Sequence, residues 1–117
     1  MITLFTMFFL HIVDDYYLQG LLAKLKQKSW WKENAPGDLY KYDYIIALFE
    51  HAFSWSFMVH IPLMVAGPHP LLWVSILVNM IIHAIIDHMK ANKLMISLTT
   101  DQLLHIAQIM ITFGIFI

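Results

Sequence analysis

Between Leu71 and His88 the chain is almost entirely apolar, yet near the end of that run it carries His83-Ala-Ile-Ile-Asp87. Residues four apart on a helix share a face. This imidazole and this carboxylate therefore point the same way from a segment otherwise suited to hydrocarbon. A carboxylate in such surroundings has to be paired, bound to a cation or in contact with water. The helix that carries it needs polar partners elsewhere in the chain. Two more pairs with the same spacing are present, His11 with Asp15 and Asp101 with His105. We expect the three pairs to converge on one buried polar site, a metal site first of all.

Composition sets the surroundings of that site. The 117 residues are 60% hydrophobic and 13% charged, whereas a soluble domain carries about 25% charged residues. A chain of this length forms a single domain. It has too little polar surface to hide so much apolar side chain, so an integral membrane protein is expected. With no cysteine, disulfides and thiolate ligands are excluded. Met1–Leu10 is apolar without a basic leader and reads as the start of a spanning helix rather than a signal peptide.

The pattern predicts an all-α fold, an integral membrane four-helix bundle. Its spans lie at about 2–22, 44–66, 71–89 and 99–117, in one transmembrane domain covering 1–117. Gly67-Pro68-His69-Pro70 breaks the second span from the third, and Pro62 can kink the second. Thr99 or Thr100 is expected to cap the fourth helix, with Asp101 in its first turn. The stretch 24–43 is polar and holds Trp30, Trp31 and the turn Asn34-Ala-Pro-Gly-Asp38; it suits the headgroup layer or a solvated loop. All seven basic residues are lysines, at positions 24, 26, 28, 32, 41, 90 and 93, and all fall in the first or third connection. The positive-inside rule places those connections in the cytoplasm and both termini outside, in a multi-pass protein of the bacterial inner (cytoplasmic) membrane.

Counting back from the lysines at about 1.5 Å per residue puts His11, Asp15, His51, His83, Asp87, Asp101 and His105 in one slab of the membrane, on four helices. These seven are the candidate ligands. Nitrogen and oxygen donors without sulfur suit zinc first, then manganese or iron, as one or two ions. The bland alternative is a structural or proton-relaying network of satisfied polar groups. Gln19 and Gln102 are candidates for a second layer that holds ligands in place. Asp14 ranks below Asp15 because it falls on a neighbouring face. Glu50 is a candidate base, and Lys90 a candidate for holding an anionic substrate. His60 and His69 fall far from the group.

The order His11-x3-Asp15-x3-Gln19, an isolated His51, His83-x3-Asp87-x2-Lys90 and Asp101-Gln102-x2-His105 resembles a family of small bacterial and phage integral membrane proteins catalogued as a domain of unknown function. The resemblance covers nearly the whole chain. It implies a helical membrane protein, often phage-associated, and supplies no reaction. More loosely, the His and Asp placement is similar to small membrane-bound metal-dependent hydrolases and to zinc transporters of the cation diffusion facilitator type. The expected function is a metal-dependent hydrolase acting on a lipid or other small amphiphile at the cytoplasmic leaflet. The alternatives are a divalent-metal transporter or channel working as a homo-oligomer, and a phage protein that binds a host membrane protein. Membrane lipid is an expected partner, and nucleic acid is not.

Overall fold

The computed structural model describes every residue from Met1 to Ile117. It is all-helical, with no strand. Four long helical segments form the body. Helix α1 (Ile2–Ile12) continues into a wider π-helical stretch, Val13–Leu18. The run then breaks at Gly20, whose φ of +50° is a backbone shape that a side chain resists. Two short helices, α2 (Leu22–Leu25) and α3 (Lys28–Asn34), and one 3-10 turn, Asp38–Tyr40, fill the first connection. Helix α4 spans Asp43–Ala66, α5 Leu72–Ala91 and α6 Leu98–Phe116. Pro62 lies inside α4 without ending it. The cap of α6 is Ser97, whose Oγ accepts from the Thr100 backbone N–H at 3.2 Å. Neither Thr99 nor Thr100 plays that part, because the helix starts one residue earlier than the apolar pattern indicates.

Helix α4 packs against α1 and α5, and α6 closes the bundle against α5 and α1. Two of the helices, α4 and α5, are long and apolar enough to cross a membrane. The first expected span differs: its helix changes winding at Val13 and stops at Leu18. The fourth has the length, but Asp101, Gln102, His105 and Gln108 dilute its hydropathy.

Burial runs opposite to that of a water-soluble domain. Half of the 26 buried residues are polar or charged. The outer faces instead present large apolar side chains, among them Phe5 and Phe9 on α1, Phe53 on α4, Leu77, Ile81 and Ile85 on α5, and Leu103 and Ile111 on α6. Charged side chains are rarely fully buried in soluble proteins unless paired. The interior has two zones. At the end near the chain termini, Met7, Trp55, Val59, Leu63, Leu72 and Ile109 form an apolar core. At the other end lies the polar group described below. There the first and third connections meet: Asn92 Nδ2 donates to the Lys26 carbonyl at 3.0 Å, and the Lys28 N–H donates to Asn92 Oδ1 at 2.6 Å.

Candidate metal centre

Each long helix sends ionisable groups inward at the lysine-bearing end. From α1 and its π stretch come His11, Asp14 and Asp15; from α4, His51; from α5, His83 and Asp87; from α6, Asp101 and His105. The π winding has a local consequence. With hydrogen bonds reaching five residues back, neighbouring positions are turned less far apart. Asp14 and Asp15 can therefore both face α4. Asp14 Oδ2 lies 3.6 Å from His51 Nδ1, and Asp15 Oδ1 lies 3.2 Å from His51 Nε2. Asp14 is 1% exposed and also accepts from Ser54 Oγ at 2.5 Å. Ideal α-helix spacing places it off the site; the π winding brings it in.

The separations in the centre have a definite scale. A tetrahedral ion with bonds of about 2.0–2.1 Å holds its ligand atoms about 3.3–3.4 Å apart. His51 Nε2 is 3.3 Å from His83 Nε2 and 3.5 Å from Asp87 Oδ2, while His83 Nε2 is 3.7 Å from Asp87 Oδ2. Two triads have ligand atoms that all lie within 4.8 Å of one another: Asp15, His51 and His83, and then His83, Asp87 and His105. His83 belongs to both. Several acceptor atoms here are buried without a hydrogen-bond partner, including Asp15 Oδ1, Asp101 Oδ1 and Asp14 Oδ2. Buried polar atoms are ordinarily satisfied, so convergent acceptors without donors are the surroundings a cation requires.

Hydrogen bonds sort the histidines into ligands and organisers. An indole N–H only donates. Trp55 Nε1 donates to His11 Nδ1 at 2.8 Å, so the His11 proton sits on Nε2, which reaches Gln102 Oε1 at 3.1 Å. Both nitrogens of His11 are engaged, and it belongs to neither triad. The sequence reading placed it among the ligands; the geometry makes it an organiser of Gln102. His105 is the opposite case. Its Nδ1 faces Gln108 Oε1 at 3.2 Å, while Gln108 Nε2 donates to Asn79 Oδ1 and to the Asn79 carbonyl. The amide oxygen therefore accepts the His105 Nδ1–H and leaves the Nε2 lone pair facing Asp87 Oδ1 at 3.3 Å and Asp101 Oδ1 at 3.4 Å. A ligand imidazole is held in this way by a partner on its other nitrogen.

The remaining sequence candidates divide as follows. Asp101 is fully buried, but it stands outside both triads, with its Oδ2 accepting from Lys90 Nζ at 2.9 Å and from Gln102 Nε2 at 3.0 Å. Gln102 also donates to Asp15 Oδ2 at 3.3 Å, so it ties three of the groups together. Gln19 donates to the Asp15 backbone carbonyl and does not touch the Asp15 carboxylate. Glu50 is exposed and makes no side-chain hydrogen bond or ion pair, since it sits one position off the inward face of α4; it is not part of the centre. His60 is buried in a separate place, between the Ser56 carbonyl and Ser75 Oγ. His69 lies at the opposite end, against Phe116.

Two residues that the sequence did not single out are central. Trp55 stacks on His83 with ring centroids 4.2 Å apart, and His83 stacks on His105 at 4.0 Å. Its position one turn after His51 was the available signal. Lys26 is 5% exposed, and its Nζ meets Asp87 Oδ2 at 2.7 Å. Nothing in a run of closely spaced lysines marks which one turns inward.

With this geometry in hand, the chain was compared with known proteins: no family model, no curated protein and no solved structure matches it.

Proposed function

We propose that this chain is a multi-pass membrane protein whose four long helical segments hold one divalent ion, zinc first, between Asp15, His51, His83, Asp87 and His105. In this reading it hydrolyses an amphiphile at the cytoplasmic leaflet. The observation that carries the proposal is the inverted burial: apolar side chains cover the outside, while imidazoles and unpartnered carboxylate oxygens converge inside. Charge supports it. Asp14, Asp15, Asp87 and Asp101 face two ammonium groups, Lys26 and Lys90. With neutral imidazoles the formal balance is two negative charges, which one divalent cation cancels.

The ion would supply Lewis acidity and an activated water. The chain's own groups would do the rest. Asp101 Oδ1, buried and unpartnered, is placed to take the proton of the attacking water in the role that the exposed Glu50 cannot fill. Lys90, about a quarter exposed, can meet an anionic headgroup. A cavity of about 740 Å³ between α1 and α6 is lined by Phe8, Ile12, Tyr16, Tyr17 and Ile106, together with His11 and Gln102. An apolar tail lying there would bring its polar end to Gln102, which is hydrogen-bonded to Asp15. The lysine-bearing connections meet at one end, in keeping with both on the cytoplasmic side and the termini outside. The motif resemblance to small bacterial and phage membrane proteins agrees with the setting and adds no reaction.

Transport by an oligomer is the second reading. It needs a polar path past Trp55, and the residues beyond, Met7, Val59, Leu63 and Ile109, are apolar and closed. A structural protein that docks on a host membrane partner would leave the unpartnered carboxylates without a purpose. Elemental analysis of detergent-purified wild type beside His83→Ala tests the proposal. One equivalent of ion in the wild type and almost none in the variant is expected. An ion-free wild type overturns the metal reading. A loaded protein that cleaves no micellar ester or phosphate ester, yet carries ion flux in proteoliposomes, replaces the hydrolase with the transporter.

A further inference from the structure

The centre holds more ligand atoms than one tetrahedral ion uses, and they fall into two groups joined by Asp87. One oxygen of Asp87, Oδ2, faces His51 and His83 at 3.5 and 3.7 Å. The other, Oδ1, faces His105 Nε2 at 3.3 Å, and Asp101 Oδ1 lies 3.4 Å from the same nitrogen. A carboxylate with donors gathered on each of its oxygens is how two-ion sites are bridged. The second group is a cation position by the same standard as the first. Its distances match the edge of a metal tetrahedron, Asp101 Oδ1 is buried without a partner, and His105 presents an unprotonated Nε2 because Gln108 takes the proton on Nδ1.

Two lysines are fixed to the oxygens around this second position. Lys26 Nζ lies 2.7 Å from Asp87 Oδ2, and Lys90 Nζ lies 2.9 Å from Asp101 Oδ2. Lys26 does not lie there by default: a lysine side chain is flexible and strongly hydrated, and seldom buried. Its backbone is held by Asn92, which bonds the Lys26 carbonyl on one side and the Lys28 N–H on the other. Two ammonium groups carry the charge of one divalent ion. We propose that Lys26 and Lys90 stand in for a second metal ion and restrict a two-ion framework to one ion. The second position, at Asp87, Asp101 and His105, is a divalent-cation site that opens when they are removed. This deepens the one-ion reading above and rests on it. It also gives the lysines a use in the reaction, because an Asp101 without metal is free to accept a proton.

The test is metal stoichiometry and affinity for zinc, measured by elemental analysis and by competition with a chromogenic chelator. Purified wild type is compared with Lys26→Met, Lys26→Arg, Lys90→Met and the double Lys26→Met/Lys90→Met variant. Wild type is expected to hold one ion per chain, and the double variant two. Lys26→Met is expected to bind its first ion at least about tenfold more tightly, since a unit positive charge next to a divalent ion is strongly felt at low dielectric. Lys26→Arg keeps the charge and should stay at one ion. Removing Lys26 leaves Asp87 without its ammonium partner, so the ion-free variant should melt lower than wild type and gain more from added zinc. That melting difference is read even if the variant is poorly folded without metal. A double variant that stays at one ion, or a Lys26→Met whose affinity and zinc-dependent melting match wild type, overturns the inference while leaving the one-ion centre intact. Two ions in the wild type also overturn it. An ion-free wild type overturns this inference together with the reading it rests on.

Discussion

His51 and His60 lie on the same helix, both buried, in opposite circumstances. His60 gives its Nδ1 proton to the Ser56 carbonyl at 2.6 Å and accepts from Ser75 Oγ at 2.8 Å. Around it Ser75, Asn79 and Thr112 bond to one another, so that stretch of the interior is polar and satisfied. His51 has Asp14 on one nitrogen and, on the other, a second imidazole nitrogen and two carboxylates. Too few donors are present there to satisfy the acceptors. Buried polarity by itself therefore does not identify function. What separates the two regions is whether the polar groups close on themselves or leave a shared gap of unused lone pairs.

Substitutions should separate the regions, and the largest effect is expected at the shared ligand. His83→Ala or Asp87→Ala should lower bound zinc from about one ion per chain to near none by elemental analysis, because each residue sits in a triad. Retention of the ion in both variants would place it elsewhere. Gln108→Leu should weaken zinc binding about 10–100-fold in chelator competition, the usual effect of losing a group that orients a ligand histidine. His60→Ala should leave zinc content unchanged and lower stability in detergent by about 1–3 kcal/mol, the desolvation of the partners it abandons; a loss of zinc would erase the distinction between the regions. Lowering pH should release the ion as imidazoles gain protons, with the midpoint of zinc content falling at or below about pH 6.5. Imidazole must be neutral to ligate, so the sign is fixed: affinity is complete above the transition and lost below it. Glu50→Gln should change neither zinc content nor melting, as its exposed side chain has no polar partner.

Much of this was legible in the sequence because two simple regularities carried it. Spacing by four put His83 and Asp87 on one face, and the lysines' confinement to two connections anticipated that those connections lie together. Apolar runs gave the long helices α4 and α5 nearly to the residue. The departures have physical causes that no periodicity reports. The π stretch changes the angle between neighbours, so Asp14 turns inward beside Asp15. The role of His11 depends on where its proton sits, which Trp55 decides from another helix. Lys26 is drawn in by Asn92 across a sequence separation of 66 residues. Each of these depends on a tertiary partner, which a single sequence does not name.

The wide turn from Val13 to Leu18 also bears on anyone wishing to make this protein sturdier. Such a turn arises when one residue too many is threaded into a regular coil, and trimming one residue from it should give a straighter, more uniform first helix. The same edit would rotate every residue before it relative to Asp15, carrying His11 out of register and ending the reach of two adjacent acids toward His51. Robustness and chemistry are set against each other within a single turn of backbone.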